Sequence, residues 1–342
     1  MLQHKLPPGP RNPLPCGVTL ALLIVSFGVP FSRAQSSLDE IHVMPRGAVS
    51  EFSAPALTLP NYESIKPIKV NVNLVLVPVT VTDPMDRIVT GLGREDFEIL
   101  EGKAPQEIKQ FSRQDAPISV GVILDTSGSM KTKIERAREA VTAFLRTGNP
   151  EDEFFLIAFA DRLDQISDFG DSIENMQSHL AMSVPKGRTA LLDAVYLGIS
   201  KMRQAKFQKR ALLIISDGGD NHSRYTEGEL KSVAREADII IYAIGIYDHY
   251  FNTMEEALGP SLLGQITRLT GGRAFPVDNP NDLPDIAQRI GVELRDQYLL
   301  GYRPSLERQD GRFHKIKVRM RMHKKLPRLR VYAKSGYYAP AQ

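Results

Sequence analysis

Four segments between residues 118 and 246 are almost wholly apolar: ISVGVIL (118–124), EFFLIAF (153–159), RALLIIS (210–216) and DIIIYAIGI (238–246). Strands with one wet face alternate apolar and polar residues. Runs like these read instead as strands buried on both faces of a parallel sheet. Between them lie segments of helical period. In IERAREAVTAFLR (134–146), Ile134, Ala137, Val141, Phe144 and Leu145 fall on one stripe. TALLDAVYLGISKMRQA (189–205) and EGELKSVAREA (227–237) are two further helices. RLDQISDF (162–169) reads as a hairpin partner of the second strand or as an edge strand. A short helix at 261–270, a short strand from Arg273 to Pro276 and a helix in NDLPDIAQRIGVELRDQ (281–297) complete the series. This alternation predicts an α/β domain, a Rossmann-like doubly wound and mostly parallel sheet with helices on both faces.

The flanks change rhythm. KVNVNLVLVPVTVTD (69–83) is rich in Val and Thr, and short strands split by Gly91, Gly93, Gly102 and Pro105 follow it. QYLLGYRP, RFHKIKVRMRM and LRVYAKSGYY, near the C-terminus, are strand-like again. Fifty residues make a thin core. A small β module over 67–116 is therefore expected to pack with a C-terminal β segment over 301–342, and the α/β domain spans 117–300.

The first residues predict export. Lys5 and Arg11 precede a short apolar stretch, VTLALLIVSF (18–27), and Ser32-Arg33-Ala34 offers a cleavage site after Ala34. A spanning helix needs about 20 apolar residues, and Gly28 and Pro30 interrupt this one. Residues 1–34 are thus read as a signal peptide and 35–66, with recurrent Pro and Ser, as a flexible linker. The destination would be the periplasm, the cell surface or the medium, with no membrane span in the mature chain. Cys16, the only cysteine, lies within the leader, so the mature chain holds no disulfide, thiolate metal site or thiol nucleophile. Losing the three basic residues of the leader leaves 40 basic and 40 acidic residues, so overall charge names no partner.

In an open α/β sheet, ligands gather at the carboxyl ends of the strands. The first strand ends in Asp125-Thr126-Ser127-Gly128-Ser129. The loop before the 189–205 helix is Lys186-Gly187-Arg188-Thr189, and the third strand runs into Asp217-Gly218-Gly219-Asp220. Hard oxygen donors with few carboxylates suit Mg2+ or Mn2+, with Ca2+ also admissible. Ser127, Ser129 and Thr189 would ligate directly, while Asp125 and Asp217 would act mostly through metal-bound water. A cation so little neutralised would accept a carboxylate from a partner.

The set Asp125-x-Ser127-x-Ser129, Thr189, Asp217 resembles the metal-ion-dependent adhesion site of von Willebrand factor A domains. VNLVLVPVTVTD, GREDFEILEGKAPQEI, LRDQYLLGYRP and SGYYAP further resemble bacterial exported proteins described as von Willebrand factor A-related. The resemblance implies a divalent ion and protein–protein adhesion. One position departs, since Gly219 stands where many relatives carry a larger residue.

Other readings carry less. Ser127 or Ser129 as a nucleophile, with His222 as base and Asp220 as its orienting acid, would make a metal-dependent hydrolase of envelope material. However, TSGSM lacks the elbow of serine hydrolases. A third possibility is a structural envelope protein with a purely stabilising metal. The basic face of RFHKIKVRMRM suggests either contact with an anionic envelope surface or a solvated strand that shields a sheet edge. No aromatic residue interrupts 314–330, which argues against nucleic acid. Tyr247, Tyr250 and Phe251, beyond the fourth strand, are candidate partner contacts.

Overall fold

The computed structural model describes residues 74–113, 115–247, 254–304, 310–321 and 328–340. The expected leader and linker lie outside these residues, as do Tyr250 and Phe251. Residues 68–342 gather into one unit. In chain order its elements are β1 (Val75–Thr82), β2 (Phe97–Glu101), β3 (Ala104–Gln106), β4 (Ile108–Ser112), β5 (Ile118–Asp125), α1 (Ile134–Leu145), β6 (Glu153–Phe159) and β7 (Leu163–Ser167). There follow α2 (Ile173–Met182), α3 (Leu191–Lys201), β8 (Lys209–Ser216), α4 (Glu227–Glu236), β9 (Ile240–Ile246), α5 (Met254–Thr270) and β10 (Ala274–Val277). The last are α6 (Leu283–Arg295), β11 (Tyr298–Tyr302), β12 (Phe313–Met320), β13 (Arg330–Ala333) and β14 (Gly336–Tyr338).

The central sheet has six strands in the order β10-β9-β8-β5-β6-β7. All neighbours are parallel except β7, which runs antiparallel to β6 at the edge. Every residue of β5 and β9 is buried, as the apolar runs require. On one face β5, β8 and β9 pack against α1, α2 and α6, with Val120, Val122, Phe144 and Ile290 in the shared core. On the other face Ile123, Phe155 and Leu212 meet α3, α4 and α5. The stripe predicted on α1 is buried, with Ala140 added. Gly121 leaves room for a neighbour, because a Cβ there would meet the Phe155 ring at 2.2 Å and Leu212 at 2.6 Å. Gly121→Ala should therefore cost about 1–3 kcal/mol by overpacking. The effect would be read as a lower urea midpoint, and an unchanged midpoint would contradict this packing.

Two four-stranded antiparallel sheets flank the α/β layers, in the orders β13-β1-β11-β4 and β14-β12-β2-β3. Each mixes N- and C-terminal strands: β1 lies between β11 and β13, and β12 pairs with β2. Their inner faces share one core of Val77, Val79, Phe97, Ile99, Tyr298 and Ile316. The Phe97 and Tyr298 rings meet at 5.1 Å. Neither half could bury this surface alone.

Two expectations need correction, and one helix has no counterpart in the sequence reading. Helix α2 was not foreseen: its apolar stripe is short, with Met176 and Leu180 buried and Ile173 packed partly buried beside them. Helix α5 starts at Met254 and runs through Pro260. Gly259 is there for close approach rather than for a break, since a Cβ on it would meet the Asp217 carbonyl oxygen at 2.7 Å. Finally, β12 is an interior strand, so its exposed Lys315, Lys317 and Arg319 shield no edge and form a solvated face.

Candidate metal centre

Register brings the site together. Leu124 of β5 pairs with Ile215 of β8, which sets Asp125 beside Ser216 at the carboxyl ends of adjacent central strands. The Ser216 hydroxyl donates to Asp125 Oδ2 at 2.6 Å and accepts the Gly218 N–H at 2.9 Å. The Ser127 N–H donates to Asp125 Oδ1 at 2.8 Å. Asp125 thus anchors both its own loop and the loop after β8. The Ser127 and Ser129 hydroxyls are 3.0 Å apart. Ser127 is buried and Ser129 is exposed, so the pair points from floor to mouth.

The loop before α3 closes on the first. The Lys186 N–H donates to the Thr126 carbonyl at 2.9 Å, and the Gly128 N–H donates to the Gly187 carbonyl at 3.1 Å. Thr189 is tied to the third loop. Its N–H donates to Asn221 Oδ1 at 3.0 Å, and its carbonyl accepts the Asn221 and His222 N–H groups at 3.0 and 3.1 Å. Gly218 has φ +80°, a conformation glycine adopts without strain, and its backbone packs on Gly259. A side chain at Gly219 would only touch Asp217, at 3.6 Å, so the departure there is sterically neutral.

Asp125 is 0% exposed and Asp217 is 5% exposed. Burial, and next the nearby Asp217 carboxylate, push the Asp125 pKa up to about 7, although hydrogen bonds from Ser216 and Ser127 oppose the shift. Among the described residues neither aspartate has a Lys, Arg or His partner. The Thr189 hydroxyl, in a residue that is itself buried, makes no hydrogen bond among them either. Nor do three or more His, Cys, Asp or Glu side chains cluster there in metal-binding fashion. Two carboxylates without a basic partner, beside the Ser127–Ser129 hydroxyl pair and the free Thr189 hydroxyl, fit a hard divalent cation held mainly by neutral oxygens.

The raised Asp125 pKa makes a pH prediction for protein in EDTA. Between pH about 4 and about 7 the native state keeps a proton that the unfolded state has lost, so stability falls as pH rises. The slope approaches about 1.4 kcal/mol per pH unit at most. Melting in EDTA at pH 5 and at pH 7.5 should show the drop, and magnesium should remove most of it. A flat profile would show that Asp125 ionises freely.

Other candidates find different places. Tyr247 is buried, not an exposed contact: its side chain folds back over Gly245, where a Cβ would meet its hydroxyl at 2.1 Å, into the core beside Leu262 and Leu263. His222 is exposed. Asp220, its supposed orienting acid, accepts the Leu191 and Leu192 N–H groups at the start of α3 and the Ser223 hydroxyl. No His–Asp relay is assembled there. Sequence reasoning missed Ser216 and Asn221. Ser216 had a signal, a hydroxyl ending an apolar run beside Asp217. Asn221 had none.

The sequence profile of the von Willebrand factor type A domain matches residues 120–219, a span from β5 to the loop after β8 that includes Asp125, Ser127, Ser129, Thr189 and Asp217. This chain carries a von Willebrand factor type A domain. Domains of this family are often adhesion or protein-interaction modules and are generally non-enzymatic. A protein of Borreliella burgdorferi described as uncharacterized is 22% identical over 196 residues, covering 50% of this chain and 57% of its own length. A second, from Synechocystis, is 24% identical over 54% of this chain and 44% of its own length. The chain thus spans about half the length of these relatives. Among solved structures, a von Willebrand factor type A protein of Catenulispora acidiphila is similar with TM-score 0.47 at 11% identity, over 78% of this chain and 75% of that one. Among the described residues no helix is long and apolar enough to cross a membrane.

Proposed function

We propose that the von Willebrand factor type A domain of this chain is an exported binding module that grips a carboxylate of a protein partner through a divalent cation. Ser127, Ser129 and Thr189 would hold the ion, with Asp125 and Asp217 orienting its waters and the serines. Mg2+ is the natural occupant, with Mn2+ and Ca2+ as alternatives. Bound there, the ion would supply a Lewis-acidic face that takes up a partner's Asp or Glu. The observation that carries this reading is the convergence of two buried carboxylates without a basic partner and three hydroxyls on loops cross-linked by hydrogen bonds. The leader expected over residues 1–34 would supply the export.

The test is capture of a partner from envelope extract on the immobilised protein. Binding should vanish in EDTA and return with magnesium. Capture that ignores EDTA would remove the cation from the account. A lower melting temperature in EDTA with nothing captured under any condition would leave only a stabilising metal.

A further inference from the structure

The rim of the proposed cation site carries unpartnered positive charge. Lys186 and Arg188 flank Gly187, whose carbonyl is bonded to Gly128 of the ligand loop. Lys131 lies two residues beyond Ser129. Arg162 sits in the β6–β7 turn next to Asp161, whose carboxylate lies against Gly187, since a Cβ there would meet Asp161 Oδ1 at 2.7 Å. All four basic residues are exposed, and among the described residues none forms an ion pair. Several cations on the helices of the same domain are paired instead. Arg136 pairs with Glu139, Arg138 with Glu135, and Lys231 with Glu227.

The acids at this edge do not neutralise the rim. Asp125 and Asp217 are buried, Asp193 is occupied by the Arg224 and Tyr225 N–H groups, and Asp220 is committed to α3. Among the described residues Asp161, in the β6–β7 turn, and Asp164, at the start of β7, are the exposed acids nearest these four cations, and neither forms an ion pair with them. Apolar groups border the same edge. Val184, two residues before Lys186, is 70% exposed, and Leu258, adjacent to the Gly259 that packs on Gly218, is 60% exposed.

We infer that the surface presented by the partner is an acidic polypeptide segment with several carboxylates and apolar side chains among them. One carboxylate would meet the cation, its neighbours would meet Lys186, Arg188, Lys131 and Arg162, and aliphatic side chains would cover Val184 and Leu258. Charge complementarity selects the acidic partner and speeds its encounter. The two exposed aliphatic residues select a polypeptide over a nucleic acid or a sulfated polysaccharide, which would use the charge alone. The inference rests on the cation-dependent reading of the site.

The test is fluorescence anisotropy of the whole chain with a short labelled peptide alternating Glu and Leu, in magnesium and in EDTA. A Gln–Leu peptide serves as control, with heparin and single-stranded DNA as competitors. Lys186→Glu/Arg188→Glu should weaken the Glu–Leu peptide at least about tenfold and flatten its salt dependence. Lys186→Gln/Arg188→Gln should do so to a smaller degree. Val184→Ser should weaken it about threefold, as loss of an apolar contact at a partly wet rim would. Charge-reversed protein that binds like the wild type would overturn the inference. So would heparin or DNA displacing the peptide while Val184→Ser has no effect. The two readings separate cleanly. Loss on charge reversal with indifference to EDTA would sustain the acidic segment and sink the cation, whereas loss in EDTA with indifference to charge reversal would do the opposite.

Discussion

Asp125→Ala should abolish cation-dependent partner capture while leaving the domain folded. Asp125 is the hub through which β5 and β8 present their loops: it accepts from the Ser127 N–H at 2.8 Å and from the Ser216 hydroxyl at 2.6 Å. Without it the Ser127–Ser129 pair loses its anchor. Cation affinity should then fall about 10- to 100-fold, the usual cost of removing a group that orients metal ligands. Stability should respond differently. Two donors lose their acceptor, at a cost of roughly 1–3 kcal/mol each. Against this, a buried carboxylate repelled by Asp217 is removed, which near pH 7.5 relieves a penalty of similar size. In EDTA the variant should therefore melt within a few degrees of the wild type, by calorimetry at pH 7.5. If the variant captured partner normally, or failed to fold at all, this division of labour would be wrong.

Arg273→Met should be the most destabilising single change outside the central core. Arg273 is 7% exposed, and its guanidinium lies between the rings of Phe275 and Tyr332 at 4.6 and 4.5 Å. It donates to Glu293, which is 0% exposed, at 2.8 Å, and pairs with Asp86 in the loop after β1. Glu293 also accepts the Tyr242 hydroxyl at 2.9 Å. One side chain thus joins β10 and α6 of the α/β layers to β13 and the β1–β2 loop of the flanking sheets. Burial raises the Glu293 pKa even with Arg273 present. At Asp86 burial also works against ionisation, but Arg273 and Arg289 outweigh it and hold the carboxyl below its usual range. Removing Arg273 strands the Glu293 charge, and breaking one side of such a buried pair costs about 3–5 kcal/mol. Urea unfolding should show that loss, and Arg273→Met/Glu293→Gln should recover much of it. A single variant as stable as the wild type would mean that the pair is neutral to the fold.

The central sheet was legible because its strands are buried on both faces: apolar runs such as 118–124 admit few alternatives. That the loops carrying Asp125, Thr189 and Asp217 meet at one sheet edge was legible for the same reason. The first and third runs end at polar residues, Asp125 and Ser216-Asp217, and parallel registry carries those ends to one edge. Ser216 obeys that logic as well as Asp125 does. Other features depend on geometry that periodicity does not encode. Asn221 and Asp220 act through backbone N–H groups about thirty residues away in sequence, which only the folded loops bring close. Tyr247 was misplaced because a tyrosine after a strand reads as surface until Gly245 is seen to leave space for its ring. Pairing of the flanking strands was foreseen from their small size. The Arg273–Asp86 link, across 187 residues, had no local signal.

Isothermal titration of magnesium or manganese into the wild type and into Asp125→Ala tests the central claim most directly. One ion per chain should bind the wild type, with affinity at least about tenfold lower in the variant. No heat from the wild type at millimolar cation, or identical isotherms for the two proteins, would contradict a cation site built from these three loops.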